Sequence, residues 1–191
     1  MDYAAEAAAI LPDFAENGQA ITIRRPVVER YNPVSGENET PSAALAASVT
    51  AADTSIPLAN LSGTWAVTNG VVTLGDETIF YAALDGTTLT GCTRGYRGTM
   101  PADAESGAAA SLVAQDFPGY AMASGYRAAL VDGTRIKSGD QQFTVAASGL
   151  GVSPGTTDKL LDAAGVEWSI VTSQAVAPGG VPLLYRVQGR Q

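Results

Sequence analysis

The sequence predicts a mainly β protein, with a short N-terminal helix and a small β-barrel that is interrupted by an inserted, small all-β domain. Short runs rich in valine, isoleucine and threonine recur between turn signals, about ten residues apart. Apolar residues follow helical spacing near the N-terminus. No apolar run approaches the roughly 18 residues that a membrane-spanning helix needs.

Five apolar side chains recur at helical spacing at the start of the chain: Tyr3, Ala7, Ile10, Leu11 and Phe14. They predict an amphipathic helix that begins at Tyr3, is weakened or kinked at Pro12, and ends at Asn17 and Gly18. Such a short helix needs a neighbouring element to hold it.

A half-buried strand follows the helix. Residues 19–25 alternate, with Ile21 and Ile23 on one face, and Pro26 ends the run. Residues 27–31 extend it towards a turn at Asn32–Gly36, and polar residues 37–42 are expected to form a linker.

Composition changes after the linker, because residues 41–116 are rich in alanine, threonine, valine and glycine. We therefore expect residues 1–40 and 117–191 to form one discontinuous helix-plus-barrel domain, with residues 41–116 as an inserted all-β domain. Insertions of this kind are tolerated at exposed loop tips. The strands expected in the insert are 47–51, 55–58, 65–74, 78–84, 87–92 and 109–114.

Two dipeptides predict hairpins. Asp85-Gly86 lies between two insert strands and suits a type I′ turn, and Asp132-Gly133 would join strands 126–131 and 134–137. Further strands are expected at 141–147, 166–176 and 183–187.

Charge and composition argue against several functions. The net charge is −8 and the pI is near 4.4, which argues against direct nucleic-acid binding as the main task. The chain has no histidine and one cysteine, so it offers neither the commonest general base nor a thiol-rich metal site. No signal-peptide pattern precedes the first apolar stretch, and we expect the protein to be made in a reducing cytoplasm.

No residue pattern indicates an enzyme. Asp76 and Glu77 are adjacent on a strand and would point to opposite faces, so we expect two solvated acids. A serine–lysine pair is conceivable with Lys137 or Lys159, but both lie beside turn residues and are expected to be solvated. Cys92 is expected to be a small buried residue. We therefore predict no catalytic residue, no metal site and no cofactor.

A glycine-punctuated arginine loop follows the first hairpin. Arg94, Gly95, Tyr96, Arg97 and Gly98 place two guanidinium groups and an aromatic ring among glycines that permit positive φ. Arg94, Gly95 and Gly98 are expected to structure the loop. Tyr96 and Arg97 are the candidates for contact with a partner, since tyrosine and arginine dominate interface hot spots.

Residues 44–113 resemble a β module that recurs in virion proteins of tailed bacteriophages. The shared pattern reads Gly75-Asp-Glu, Tyr81, Asp85-Gly86-Thr-Thr-Leu-Thr, Arg94-Gly95 and Gly98-Thr99 in this chain. Ala104 stands where that module has a histidine. The Arg-Gly pair recurs in otherwise unlike members, which favours a structural role for Arg94.

The flanking sequence resembles small neck proteins of long-tailed phages, of the head–tail joining or stopper class. The similar segments are Gly18–Pro26, Leu130–Asp140, Trp168–Thr172 and Leu184–Gln188. The resemblance implies a homo-oligomeric ring, expected to be a hexamer, that binds portal or adaptor and tail-terminator proteins. It implies a place in the virion neck, where the ring closes the channel and docks the tail. DNA would pass nearby without specific binding, and no membrane would be involved.

Two other interpretations stay open. The chain could be a tail-tip or fibre-associated protein whose inserted β domain binds a host surface glycan or protein. It could also be a tail terminator. Glycan recognition would favour exposed aromatic side chains in the insert, where Trp65, Phe80, Tyr81 and Tyr96 are the candidates.

Overall fold

The computed structural model describes residues 2–33 and 36–191. The fold is mainly β, with an N-terminal helix and a six-stranded antiparallel barrel, as the sequence predicts. The chain divides into two compact units. The barrel unit contains the residues up to Arg25 and Phe117–Gln191, and the insert unit contains Pro26–Asp116.

The elements, in chain order, are α1 Tyr3–Asn17, β1 Gln19–Pro26, β2 Arg30–Asn32, β3 Glu37–Glu39, β4 Ser42–Leu45, β5 Ser55–Ser62, β6 Thr68–Leu74, β7 Glu77–Asp85, β8 Thr88–Thr90, β9 Ala109–Gly125, β10 Gln141–Ala146, β11 Lys159–Leu161, β12 Glu167–Val176 and β13 Leu184–Arg190. Short 3₁₀ turns lie at Tyr96–Gly98, Ala128–Leu130 and Pro178–Gly180. Within the described ranges, no helix is both long and apolar enough to cross a membrane.

Helix α1 has the predicted bounds. The Asp2 carboxylate accepts hydrogen bonds from the backbone N–H groups of Ala4 and Ala5, which caps the first turn. The helix continues through Pro12, and the N–H of Gly18 donates to the carbonyl of Phe14 at its end. The helix packs against β10, which supplies the neighbour that so short a helix requires.

Six strands of the barrel unit form a closed circuit, in the order β1, β11, β12, β13, β10 and β9, with β9 pairing back to β1. Closure leaves no free sheet edge in this circuit. Its core members are Ile21, Ile23, Phe117, Ala121, Phe143, Val145, Leu150, Leu160, Trp168, Ile170, Tyr185 and Val187. The inward positions of Ile21 and Ile23 confirm the predicted alternation of β1.

The insert unit contains a second closed circuit, in the order β9, β4, β5, β8, β7 and β6, with β6 pairing back to β9. Its core is mainly aliphatic, with leucine the commonest residue and with Trp65 and Tyr81 as its aromatic members. Tyr81 lies opposite Gly70 in the neighbouring strand, where a Cβ atom would come within 2.0 Å of the tyrosine ring. The missing side chain lets the ring lie over the strand, and the Tyr81 hydroxyl donates to the carbonyl of Ala66.

Strand β9 contributes to both circuits, with residues 109–116 in the insert unit and 117–125 in the barrel unit. In the first half, the inward positions have even numbers: Ala110, Leu112, Ala114 and Asp116. In the second half, they have odd numbers: Phe117 and Ala121. The side-chain alternation therefore shifts by one residue between Asp116 and Phe117. That shift lets one strand supply inward-facing side chains to two separate cores.

Several local predictions were wrong. Residues 126–137 form no hairpin, because the Asp132 carboxylate accepts hydrogen bonds from the N–H groups of Thr134, Arg135 and Ile136 and folds the segment into a loop. Residues 47–51 form no strand beyond an isolated bridge at Val49. The tight turn has Gly86 and Thr87 at its centre, and only Gly86 has positive φ, so it is not the type I′ turn expected.

Residues 37–42 are not a linker. Strand β3 pairs with β2 in a separate two-stranded ribbon, and Ser42 already belongs to β4. The compact units divide between Arg25 and Pro26 and between Asp116 and Phe117, whereas the sequence placed the first boundary after residue 40. The expected turn at Asn32–Gly36 falls partly on residues 34 and 35, outside the described residues.

Candidate functional site

The arginine loop is built around one bidentate ion pair. Arg94 Nε lies 2.8 Å from Glu77 Oε1, and Arg94 Nη2 lies 2.7 Å from Glu77 Oε2. The same guanidinium donates to the carbonyls of Thr50 and Ala102. The side chains of Arg94 and Glu77 are only 6% and 2% exposed, so Arg94 ties three segments of the insert unit together.

Glu77 is therefore not the solvated acid that the sequence predicts. Its carboxylate also accepts hydrogen bonds from the N–H groups of Gly95 and Ala102. Burial raises the pKa of Glu77, but the hydrogen bonds from Arg94 and the two N–H groups outweigh burial and hold the pKa below its ordinary value. The sequence contained a signal for the burial of Glu77. Glu77, Ile79 and Tyr81 occupy alternate positions along β7, so Glu77 lies on the same core-facing side as the two apolar residues.

The loop backbone depends on left-handed residues. Gly95 has φ +63° and Arg97 has φ +59°, and both are in the left-handed region. A Cβ atom on Gly95 would lie 2.7 Å from the carbonyl oxygen of Thr99, whereas nothing lies within 4 Å of one on Gly98. Gly95 is thus required by close packing as well as by φ, while Gly98, at φ +79°, is required by φ alone.

The two candidate contact residues both bind Asp116, a carboxylate with 0% exposure. The Tyr96 hydroxyl lies 3.1 Å from Asp116 Oδ2, and Arg97 Nη2 lies 3.0 Å from the same oxygen. The Tyr96 ring packs against Phe80, with 5.5 Å between ring centres. The Arg97 side chain is 29% exposed, so both residues serve the internal structure while part of their surface faces outward.

Ion pairs between arginine and a buried carboxylate recur in the barrel unit. Asp140 binds Arg190 through two 2.7 Å contacts, and Asp158 binds Arg25 through two 2.9 Å contacts. Sequence reasoning missed these pairs. One signal that could have found them is composition, because nine of the 11 cationic residues are arginine, whose planar fork suits buried carboxylates better than lysine does.

Lys159 and Ser169 are the lysine and serine that the structure brings together. Lys159 Nζ lies 2.8 Å from Ser169 Oγ, across the β11–β12 pair. The lysine side chain is 38% exposed and lies 4.0 Å from Glu167. The Lys159–Ser169 hydrogen bond therefore lies at a solvent-exposed cross-strand position.

The segment 126–140 forms a loop fixed at its end by Asp140. The Gln188 side chain donates to Asp140 and to the carbonyl of Arg135, and Arg190 donates to the same two residues. Leu130 is 55% exposed and Val131 is 37% exposed within this loop. The loop is thus anchored by a polar clamp and presents apolar side chains to solvent.

Two concave regions lie in the barrel unit. An open groove of about 510 Å³ borders helix α1 and includes Leu11, Ile21, Pro118, Tyr120 and Asp162. A smaller polar pocket of about 220 Å³ includes Tyr126, Gln174 and Arg186. Through residues 2–33 and 36–191, every fully buried side-chain nitrogen or oxygen has a hydrogen-bond partner, so no orphaned group points into either region.

The described part of the chain contains no group of three His, Cys, Asp or Glu side chains placed to hold a metal ion. Comparison with protein-family models, with curated proteins and with solved structures found no match for this chain. The functional argument therefore depends on the residues themselves.

Proposed function

We propose that this protein is a structural subunit of the phage head–tail connector, which forms a ring between the portal or adaptor and the tail. The sequence resemblance supports this proposal, and a helix followed by a small β-barrel is the architecture that the resemblance implies. The acidic surface suits a passage through which DNA slides without binding, since it repels phosphate.

One observation carries the proposal: among the described residues, four of the eight large apolar side chains that are exposed lie on two elements outside the closed circuits. Val28 is 79% exposed just before the β2–β3 ribbon, and Tyr31 is 66% exposed within it. Leu130 and Val131 are exposed in the loop 126–140. Because both circuits are closed, subunits cannot join by pairing free barrel edges. Contacts between copies would instead use these two elements.

The glycan-binding alternative has less support. Trp65 and Tyr81 are buried in the insert core, at 8% and 0% exposure. Phe80 and Tyr96 are half-buried and pack on each other. None of these four candidates therefore offers the exposed aromatic platform that sugar rings stack upon. A tail-terminator ring is a close variant of the first proposal.

Mass photometry and negative-stain microscopy of the purified protein, alone and with the portal of its own phage, test the proposal. We expect rings of one stoichiometry, formed either freely or on the portal. A protein that stays monomeric at all concentrations and does not bind the portal would overturn it. Addition of purified tails then separates a connector from a terminator, because a terminator caps tails without the portal.

A further inference from the structure

The β2–β3 ribbon is an arm without a partner in its own sheet. Residues 27–33 and 36–40, here called the arm, contain three register pairs between β2 and β3, and this ladder pairs with no other strand among the described residues. A lone two-stranded ribbon is marginally stable in water. Val28 and Tyr31 extend its solvent-exposed apolar surface.

The arm is acidic. Its sequence contains three glutamates, Glu29, Glu37 and Glu39, against one arginine, Arg30. Glu29 is solvent-exposed and lies between the exposed Val28 and the start of β2. The arm thus combines apolar surface with an excess of negative charge.

The loop 126–140 has the opposite character. Arg127, Arg135 and Lys137 are exposed and lie within 11 residues, in a chain with a net charge of −8. The two aspartates of the loop are occupied, because Asp132 accepts three backbone N–H groups and Asp140 binds Arg190. In sequence, these three cationic residues lie on both sides of the exposed Leu130 and Val131.

We infer that the arm of one copy docks onto the loop 126–140 of the next copy. This inference rests on the proposed function and names the contact that builds the ring. Val28 and Tyr31 cover Leu130 and Val131, and the exposed Glu29 lies against the cationic side chains of the loop. Complementary charges steer such contacts and fix their register.

The contact joins two different patches, so it is heterologous. Each copy gives an arm to one neighbour and receives an arm from the other. Heterologous contacts of this kind generate closed rings when the rotation between copies closes. An isologous dimer, in which the same patch meets itself, would not extend to a ring.

Charge reversal tests the contact. Glu29→Lys with Glu37→Lys reverses the arm, and Arg127→Glu with Lys137→Glu reverses the loop. We expect each double variant to lose ring formation at concentrations where the unaltered protein assembles. The chain with all four substitutions should assemble again, because the two reversed surfaces are complementary. Circular dichroism melts verify that every variant is folded.

A mixing experiment tests the heterologous geometry. In the mixture, intact arms meet intact loops and reversed arms meet reversed loops, so every contact is complementary when the two variants alternate. Mass photometry of an equimolar mixture should show rings that contain equal numbers of the two variants, although neither variant forms rings alone. A mixture that forms no rings would overturn the heterologous contact.

The outcomes separate this inference from the proposed function. If both folded double variants still form rings, alone or on the portal, the arm–loop contact is wrong while the connector proposal stands. If the unaltered protein neither assembles nor binds the portal, the proposed function itself fails. A matched control, Asp85→Lys with Glu105→Lys, adds the same charge at exposed insert positions and should leave ring formation unchanged.

Discussion

Arg94 and Glu77 form a bidentate ion pair that is almost completely removed from solvent, with side chains 6% and 2% exposed. The pair joins the start of β7 to the arginine loop, and Arg94 continues to the carbonyls of Thr50 and Ala102. An arginine at this position therefore holds the insert unit together, in agreement with the structural role that the sequence favoured for it.

Removal of one partner of this pair should destabilise the insert unit strongly. Glu77→Gln leaves the Arg94 guanidinium buried without its counter-charge, and we expect a loss of about 3–5 kcal/mol in the free energy of unfolding. Asp76→Asn makes the same change at the exposed neighbouring carboxylate and should cost less than about 0.5 kcal/mol. Equal losses for the two variants would contradict the role of the ion pair.

The two tryptophans allow each unit to be followed separately. Trp65 lies in the insert core and Trp168 in the barrel core. In a Trp168→Phe background, denaturant unfolding followed by fluorescence reports the insert unit alone. This background suits the Glu77, Asp76 and glycine variants.

Gly95 and Gly98 should differ in their tolerance of a methyl group. Gly98→Ala places alanine at positive φ in open space and should cost about 1 kcal/mol. Gly95→Ala adds a clash with the Thr99 carbonyl and with Pro101, so we expect a loss larger by about 1 kcal/mol or more. Fluorescence of Trp65 during denaturation measures both. Equal costs would show that the close approach at Gly95 is relieved without penalty.

Acid should weaken the barrel unit through Asp140. Hydrogen bonds from Arg190 hold the pKa of Asp140 well below its ordinary value, although burial raises it. The folded pKa is therefore lower than the unfolded pKa of about 4, so the stabilisation is complete above the unfolded value and is lost as the pH falls towards the folded value. Unfolding followed by Trp168 in a Trp65→Phe background, from pH 7 to pH 3, should show this loss.

Asp140→Asn should be less stable at pH 7 and should lose less stability between pH 5 and pH 3 than the parent. Asp13→Asn, an exposed change on helix α1, should keep the pH dependence of the parent. An unchanged acid response in Asp140→Asn would refute the assignment of this dependence to the Asp140–Arg190 pair.

Cys92 should report local opening of the insert unit. Its side chain is buried, and burial raises the pKa of the thiol to about 11, so little reactive thiolate exists at pH 8. We expect slow reaction with a thiol-specific disulfide reagent in the native protein and rapid reaction in denaturant. Glu77→Gln should accelerate the native reaction through more frequent opening. Rapid labelling of the unaltered native protein would contradict the burial.

Features with a local period were predictable from the sequence. Helix α1 and the inward positions Ile21 and Ile23 follow directly from the spacing of apolar residues. The hairpin expected at Asp132-Gly133 failed because the Asp132 side chain satisfies three N–H groups of its own loop, and that competition is invisible to a turn motif. The loop's other anchor, Arg190, lies 50 residues from Asp140 in sequence.

The candidate site was predictable in part. The alternation that makes Ile79 and Tyr81 core residues also includes Glu77, yet a carboxylate on a core face is credible only when its partner is known. Asp116 continues the inward alternation of β9 in the same way. Their arginine partners come from the loop 17 and 19 residues away, and only the fold identifies which arginine meets which acid.

The barrel unit should fold without the insert unit. Removal of residues 26–116 retains all six strand segments of its circuit and every member of its core. The two cut ends lie on β1 and β9, which pair with each other, so a short Gly-Ser linker can join them. We expect a cooperative thermal transition and native-like Trp168 fluorescence. Residues 26–116 expressed alone provide the matching test of the insert unit, with Trp65 as the reporter. A molten or aggregated product in either case would show that the two units fold only together.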